Sequence, residues 1–484
     1  MKKPLAIILG VGFLHRLLFL GARQLWTDEL MQARVIKSAS PVEILRRLRG
    51  EMDLASPLDF MVQRGVTVLL GNAAWALRLH ALVFGTLSIW IFFRLARRLF
   101  GERVALYSTI LFAFYPLAYR YSLEARPYAL LLFLSLLSYD LLLSQIYGKD
   151  RSWKGWLLIT GISTLLLYTN FLGSLILISQ FAGLMLAMLY KPRTESDLRN
   201  HDTEREHLIP VRVKKRHAWA YLLAAFTALA LFYPWIRYEW ARPHLSPASE
   251  IAQPKVILIL IKGLGDNSYP VAVLLLLGAV AGMWVLFRHG RHNALFWLAS
   301  WFLVPIPALW LAEVWAGYFF NIRHVLHLTP PILLLAGYGI SHLGNKLALL
   351  PQMPRPIHAV GLSYAGLLIC MSIWISQDHA RSETADWLGV ATFLNETVRP
   401  GDAVSMPVVN ALLEYYYPRL RDFRAGDLDP GPGSLAETGI RRRIVVCREQ
   451  LWPDPCAAFR DPASRDSAWA TRAFNGFTVF IRER

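Results

Sequence analysis

The sequence predicts a polytopic α-helical membrane protein of about eleven transmembrane helices, followed by a small C-terminal α/β domain. Three observations carry that prediction. Of the 484 residues, 55% are hydrophobic and only 18% are charged, whereas a soluble domain carries about 25% charged residues. Apolar runs long enough to cross about 30 Å of hydrocarbon, which takes about 20 residues, recur along the first three quarters of the chain. The formal net charge of +17 is also uneven: residues 1–376 hold 37 Lys+Arg against 19 Asp+Glu, and residues 377–484 hold 14 against 15. A basic excess confined to the apolar part is the signature of cytoplasmic loops between spans, so no nucleic-acid partner is expected. The chain divides on these grounds into a membrane domain, 1–376, and a terminal domain, 377–484.

The first run, Pro4 to Leu20 after Met1-Lys2-Lys3, resembles a signal peptide but lacks a good small-residue cleavage pattern. Ala22 to Trp26 reads better as a helix reaching an aromatic interface, which makes this an uncleaved first span. The later spans are expected at 75–93, 104–120, 127–147, 155–172, 171–190, 218–236, 269–287, 294–312, 325–342 and 358–376. With Lys2 and Lys3 in the cytoplasm, the basic clusters 94–103, 148–154 and 191–217 fall on the same side, and the outer turns near 119–126, 168–171 and 313–324 contain only Arg120, Arg126 and Arg323. The positive-inside rule then fixes the expected orientation: a multi-pass membrane protein, its N-terminus cytoplasmic and its C-terminal domain on the outer face.

Residues 23–74 form a first outer loop too apolar to be a tether. Leu30 through Arg49 mixes Val35, Ile36, Ile44 and Leu48 with Arg34, Lys37, Arg46 and Arg47, a pattern suited to a helix in the headgroup region. Residues 57–71 are apolar but short, and read as re-entrant or interfacial. In the tail, Thr384 to Val398 is an amphipathic helix, Pro400-Gly401-Asp402 a turn, Ala403 to Met406 a strand, Ala411 to Tyr417 a short helix and Arg443 to Cys447 a strand. Phe474-Asn475-Gly476-Phe477 is a hairpin signal. Cys370, Cys447 and Cys456 show no metal spacing; Cys447 and Cys456 are available for an optional disulfide in an oxidising compartment.

Charged side chains near membrane depth are costly and tend to be functional or paired. Three outer places hold them. Trp26-Thr27-Asp28-Glu29 follows the first span, Tyr121 through Tyr128 separates the third and fourth, and Asn321-Ile322-Arg323-His324 lies between the ninth and tenth. Two readings fit Asp28: it caps the following helix, with Glu29 as a first-turn acid, or it is a general base for an attacking hydroxyl. Glu124 and Arg126 are a locally satisfied pair or, alternatively, a guanidinium that holds a phosphate oxygen with a carboxylate orienting it. Arg323 and His324 are ordinary interface anchors or a second positive group for a developing phosphate anion.

These residues resemble, in order along the chain, the GT-C membrane glycosyltransferases, and among them the bacterial relatives of protein O-mannosyltransferases and lipid A aminoarabinose transferases. The resemblance rests on Trp26-Thr27-Asp28-Glu29-Leu30, on Glu124-Ala125-Arg126-Pro127-Tyr128-Ala129-Leu130, on Tyr168-Thr169-Asn170-Phe171-Leu172-Gly173, and on Arg323-His324 before Pro330-Pro331. It extends to the tail through Asp386-Trp387 and Pro400-Gly401-Asp402. It implies an inverting transferase that takes a monosaccharide from a polyprenyl-phosphate carrier on the periplasmic face and passes it to a hydroxyl of lipid A, a lipid-linked glycan or a protein. Asp28 would then be the catalytic base beside Glu29, with Glu124, Arg126, Tyr128, Tyr168, Arg323 and His324 around the donor phosphate. One departure stands out: relatives commonly carry His-Pro-Pro-Leu in the first loop where this chain has Ala55-Ser56-Pro57-Leu58, so no metal ligand is expected there. No cofactor is implied.

Composition points to the same carrier. The largest cytoplasmic loop, 191–217, is too short for a nucleotide-binding fold, so a sugar donor must arrive through the bilayer. The competing class is a transporter or flippase of polyprenyl-linked sugars, which would favour internal repeats and broken midplane helices; neither an internal repeat nor a charged through-path is evident.

Overall fold

The computed structural model describes residues 2–37, 39–51, 55–148, 151–189, 213–240, 261–316, 322–347, 366–375 (without 368 and 372), 386–406, 413, 415–417, 441–448 and 469–483. The described chain is mostly helical and separates into two compact units. The first comprises Met1–Leu20, Ala39–Gly71 and Trp75–His379; the second comprises Gly21–Ser38, Asn72–Ala74 and Ala380–Arg484.

In the first unit, apolar runs become helices because only a helix satisfies every backbone polar group within hydrocarbon. They are α1 (Lys2–Phe19), then, beyond α2 (Thr27–Ile36) of the second unit, α3 (Pro41–Glu51), α4 (Leu58–Leu70), α5 (Ala74–Phe100), α6 (Glu102–Ala113), α7 (Pro116–Tyr121), α8 (Tyr128–Tyr147), α9 (Trp153–Thr169), α10 (Gly173–Leu189), α11 (Lys215–Trp240), α12 (Tyr269–Arg288), α13 (His292–Leu303) and α14 (Pro305–Ala316). A 3-10 segment, Ile322–Leu328, leads into α15 (Thr329–Leu347). Among the described residues, five helices are long and apolar enough to cross a bilayer, at Ala74–Phe100, Tyr128–Tyr147, Lys215–Tyr238, Tyr269–Arg288 and His292–Leu311. Exposed Leu223, Phe226, Leu277 and Phe287 face outward from them, as apolar side chains do where lipid replaces water.

Three expectations are corrected. The helix expected across Leu30 to Arg49 is two helices, because Ser40 accepts from the Glu43 amide at 3.2 Å and Pro41 then opens α3, the usual start of a new helix. The run 104–120 breaks after Ala113 and restarts at Pro116, because a proline cannot donate to the preceding turn; the run 294–312 forms one candidate span, His292–Leu311, interrupted at Val304 before Pro305. The run 325–342 begins as a 3-10 segment. The expected span 358–376 lies mostly outside the described residues.

Polar side chains lace the interior. Tyr139 donates to Ser179 at 3.1 Å, Gln180 to Ser138 at 2.9 Å, and Tyr221 to Gln180 at 3.0 Å, joining α8, α10 and α11 by the interhelical bonds that bilayer helices use. Asp140, fully buried, receives Arg94 at 2.9 Å and Arg98 at 3.1 Å. Helices α12 and α15 approach closely. A Cβ on Gly282 would strike the Leu335 carbonyl, and one on Gly339 would lie 2.6 Å from the Gly278 carbonyl oxygen. Gly278 and Gly282 form the small-xxx-small pattern that lets two backbones meet. Gly282→Val is expected to cost about 1–3 kcal/mol by overpacking, read as a lowered melting temperature of the purified protein; an unchanged melting curve would refute this account of the contact.

The second unit gathers α2 with the tail. Here α16 (Trp387–Thr397) packs with a four-stranded sheet of β1 (Asp402–Ser405), β2 (Arg442–Arg448), β3 (Trp469–Phe474) and β4 (Phe477–Glu483), in the order β1-β2-β4-β3. β1 and β2 are parallel, with Asp402 opposite Arg442, and the other pairs are antiparallel. The β3–β4 hairpin turns at Asn475-Gly476, where Gly476 has φ 71°, a value that favours glycine. Val445, Cys447, Trp469 and Phe480 form a buried cluster on the sheet. Cys447 is disulfide-bonded, Cys370 is a free thiol, and Cys456 lies outside the described residues, as do 411, 412 and 414 of the short helix expected at Ala411 to Tyr417.

Candidate functional site

The turn between α7 and α8 is anchored from below. Leu20, Leu82, Tyr119 and Leu123 form a buried cluster with Phe13, Phe19 and Leu79 packed on it. Arg16, fully buried in α1, donates from Nε to Ser122 Oγ at 3.0 Å and from its terminal nitrogen to the Ala113 carbonyl at 3.0 Å. Ser122 in turn donates to the Ala118 carbonyl. This ties the end of α7 to the first helix. The chain then folds tightly, the Arg126 amide donating to the Glu124 carbonyl at 2.7 Å, and Pro127 caps α8 at a place where its missing N–H costs nothing.

Two charged groups follow from this turn. In the first, Arg120 lies between two buried carboxylates: its Nε is 3.2 Å from Glu124 Oε1 and its terminal nitrogen 3.1 Å from Asp266 Oδ1. Burial works to lower the Arg120 pKa, but Glu124 and Asp266 outweigh it and leave the guanidinium more firmly protonated than usual. Asp266 comes from the segment before α12 and, with Asn267, adopts a left-handed backbone, φ 49° and 70°, which costs a non-glycine residue about 1 kcal/mol or more. The Tyr115 hydroxyl holds the same segment by donating to the Leu264 carbonyl at 2.6 Å. Burial, and then Glu124, raise the Tyr121 pKa well above its ordinary value, so that phenol keeps its proton.

The second group converges on one ring. The guanidinium carbons of Arg126 and Arg323 each lie 6.0 Å from the Tyr128 centroid, and the His324 ring lies 6.5 Å from it. Tyr121 meets the same ring edge-on at 5.1 Å. Burial first, and then Arg323, His327 and Arg126, push the His324 pKa well below its ordinary 6.5. His324 is therefore neutral at physiological pH. The unfolded chain protonates it near pH 6.5, so the fold keeps its stability above that pH and loses up to about 1.4 kcal/mol per pH unit below it through this group. His324→Gln should flatten melting temperature against pH between about pH 8 and pH 5; a slope as steep as the wild type's would contradict the assignment.

The acidic pair stands in the second unit, where three tail residues hold the segment leading to it. The Leu25 amide donates to the Tyr416 hydroxyl at 2.8 Å, and Gln24 bridges Asp386 Oδ1 at 3.2 Å and the Leu388 amide at 3.0 Å. Trp26 is the N-cap residue of α2, not Asp28, which corrects the capping reading. Glu29, fully buried, reaches back to accept from the Trp26 amide at 3.2 Å, one half of a capping box. Asp28, one residue earlier, is half-buried. The two acids thus point differently, as neighbours about 100° apart on a helix must.

Of the residues expected at the site, the first unit brings together Arg126, Tyr128, Arg323 and His324, with Glu124 beside them through Arg120. Tyr168 packs edge-on against Phe232 at 5.1 Å and donates to the Leu231 carbonyl at 3.0 Å. Where relatives carry His-Pro-Pro-Leu, Ser56 donates to the Leu167 carbonyl at 3.2 Å and Pro57 caps α4. Asp266 and the role of Arg120 were not foreseen. Gly265-Asp266-Asn267-Ser268 is a readable turn signal, but nothing in it names a partner 146 residues away.

Residues 55–200 match the family model of dolichyl-phosphate-mannose-protein mannosyltransferase. The crystal structure of ArnT from Cupriavidus metallidurans in the apo state superposes with a TM-score of 0.60 at 14% identity, covering 98% of this chain and 97% of that one. ArnT bound to undecaprenyl phosphate gives 0.58 at 12%, with the same coverage. The archaeal oligosaccharyltransferase AglB from Archaeoglobus fulgidus, in complex with an inhibitory peptide and a dolichol-phosphate, gives 0.56 at 11%, covering 92% of this chain and 69% of that one. No curated protein sequence matches. The chain has the fold of the GT-C membrane glycosyltransferases, the group its motifs resemble.

Proposed function

We propose, from the premise of a GT-C fold, that the protein is an inverting glycosyltransferase that moves a monosaccharide from a polyprenyl-phosphate-linked donor to a hydroxyl acceptor. The observation that carries this reading is the convergence of Arg126 and Arg323 on the Tyr128 ring beside neutral, buried His324. Arginine is suited to bidentate phosphate recognition. Taking Arg120, Arg126 and Arg323 against Glu124 and Asp266, these side chains carry three positive and two negative charges. ArnT, of the same fold, binds undecaprenyl phosphate, which supports a polyprenyl carrier here.

In the proposed reaction the acceptor oxygen attacks the anomeric carbon from the face opposite the phosphate. The carbon–oxygen bond to phosphate breaks, a new glycosidic bond forms with inversion, and the hydroxyl proton passes to Asp28. A second negative charge develops on the departing phosphate, where Arg126 and Arg323 stabilise it. Glu29 keeps α2 started at Trp26, and Glu124 with Asp266 keeps Arg120 fixed beneath the turn. The active face is periplasmic in a bacterial inner membrane, with 1–376 as the membrane catalytic domain and 377–484 as the periplasmic α/β domain. Lipid A, a lipid-linked glycan or a protein hydroxyl fits as acceptor.

Arg126→Ala and Arg323→Ala test the reading directly. A charge-assisted hydrogen bond is worth about 1.5–3 kcal/mol, so each variant should bind undecaprenyl phosphate roughly 10 to 150 times more weakly. Purified wild-type and variant proteins titrated with that lipid provide the measurement. Unchanged affinity in both would remove the phosphate assignment.

A further inference from the structure

A second convergence of bases lies at the C-terminal ends of α12 and α15, with no part in the reaction above. It is built on Tyr338, a fully buried residue of α15. The His289 Nδ1 lies 3.1 Å from the Tyr338 hydroxyl, the His342 ring stacks on the Tyr338 ring at 4.1 Å, and the Arg291 guanidinium carbon lies 5.8 Å from the same centroid. The two histidine rings are 5.3 Å apart. His342 Nδ1 is 2.9 Å from the Tyr338 carbonyl and 3.0 Å from the Ser341 hydroxyl.

Arg291 is also the N-cap of the 12-residue helix α13, so the positive end of that helix lies at the same place. Neither 286–292 nor 336–347 contains an Asp or Glu. Beside the bases stand exposed Trp284 and Phe287, with Arg288 over the Trp284 ring at 5.1 Å. Asp266 and His324 precede the opposite ends of α12 and α15, and the 20 residues of α12 span about 30 Å, the thickness of bilayer hydrocarbon. The second cluster is therefore at headgroup level on the other membrane surface.

The geometry points to a binding site for an anionic phosphate group here, held by His289, Arg291 and His342 on the Tyr338 platform. The apolar wall of Trp284 and Phe287 fits the acyl chain of an anionic phospholipid, since basic pockets between transmembrane helices bind such headgroups. A free phosphate would use the bases alone.

The test uses the full chain in detergent, titrated with phosphatidylglycerol and with phosphatidylcholine and read by native mass spectrometry, with inorganic phosphate as a competing arm. At least a tenfold preference for phosphatidylglycerol is expected in the wild type, and Arg126→Ala should leave it intact. The triple variant His289→Gln, Arg291→Gln, His342→Gln should lose it, and Arg291→Gln alone should reduce it several-fold if the triple variant fails to fold. Displacement of the lipid by inorganic phosphate supports the site with free phosphate as an alternative occupant; resistance to displacement supports a headgroup held by its chains as well. No lipid preference in the wild type, or an equal preference in the variants, overturns the inference.

Discussion

Asp28→Asn should abolish sugar transfer while the protein still folds and still binds its donor lipid. The amide has the shape of the carboxylate but cannot take a proton, and a positioned general base contributes about 10²–10⁴-fold to such a step. Asp28 is half-buried at the second helical position of α2 and does not close that helix, so its loss should not disturb the start of α2. Glu29→Gln provides the contrast. Glu29 accepts the Trp26 amide and is buried, so its replacement should weaken the helix start by about 1 kcal/mol and lower stability more than Asp28→Asn does. Single-turnover transfer from a labelled polyprenyl-phosphate sugar, measured beside donor binding, separates the two. Near-normal turnover in Asp28→Asn would eliminate Asp28 as the base.

Arg120→Met should be more damaging to the fold than either Arg126→Ala or Arg323→Ala. Its guanidinium serves Glu124 and Asp266 at once, and both carboxylates are almost wholly buried, with side-chain exposures of 1% and 3%. Removing one partner of a buried ion pair costs about 3–5 kcal/mol, because the charge left behind has lost its compensation. The expected result is a large drop in melting temperature, with donor binding lost through a displaced turn. Adding Glu124→Gln and Asp266→Asn to Arg120→Met should recover much of the stability, because no uncompensated charge then remains. A stable Arg120→Met single variant would show that the two acids find their charge balance elsewhere.

The membrane helices were legible because their apolar runs exceed any soluble requirement, and the tail strands because Pro400-Gly401-Asp402 and Asn475-Gly476 are turn chemistry of short range. Tyr128, Arg126, Arg323 and His324 were legible as a set through charge in costly places and through motif. The ionic link of Arg120 to Asp266 was not, since a left-handed turn carries no record of a partner across the fold. Neither was the membership of 21–38 in the tail's unit. It depends on Tyr416 and Asp386, two polar side chains that look ordinary in a tail rich in them. The breaks at Pro116 and Pro305 were visible as prolines but lay within apolar runs, where bilayer helices often tolerate them.

The bonds from Leu25 to Tyr416 and from Gln24 to Asp386 join positions 391 and 362 residues apart in the chain. A ribosome adding about 5–20 residues per second needs roughly 20 to 70 seconds to cover that interval, and throughout it the emerging polypeptide has Asp28 but not the groups that fasten its neighbours. A nascent protein interrupted before Asp386 would carry Arg126, Arg323 and His324 and yet leave Asp28 on an unfastened segment. The segment that carries Asp28 is therefore fastened only after residue 416 has been made.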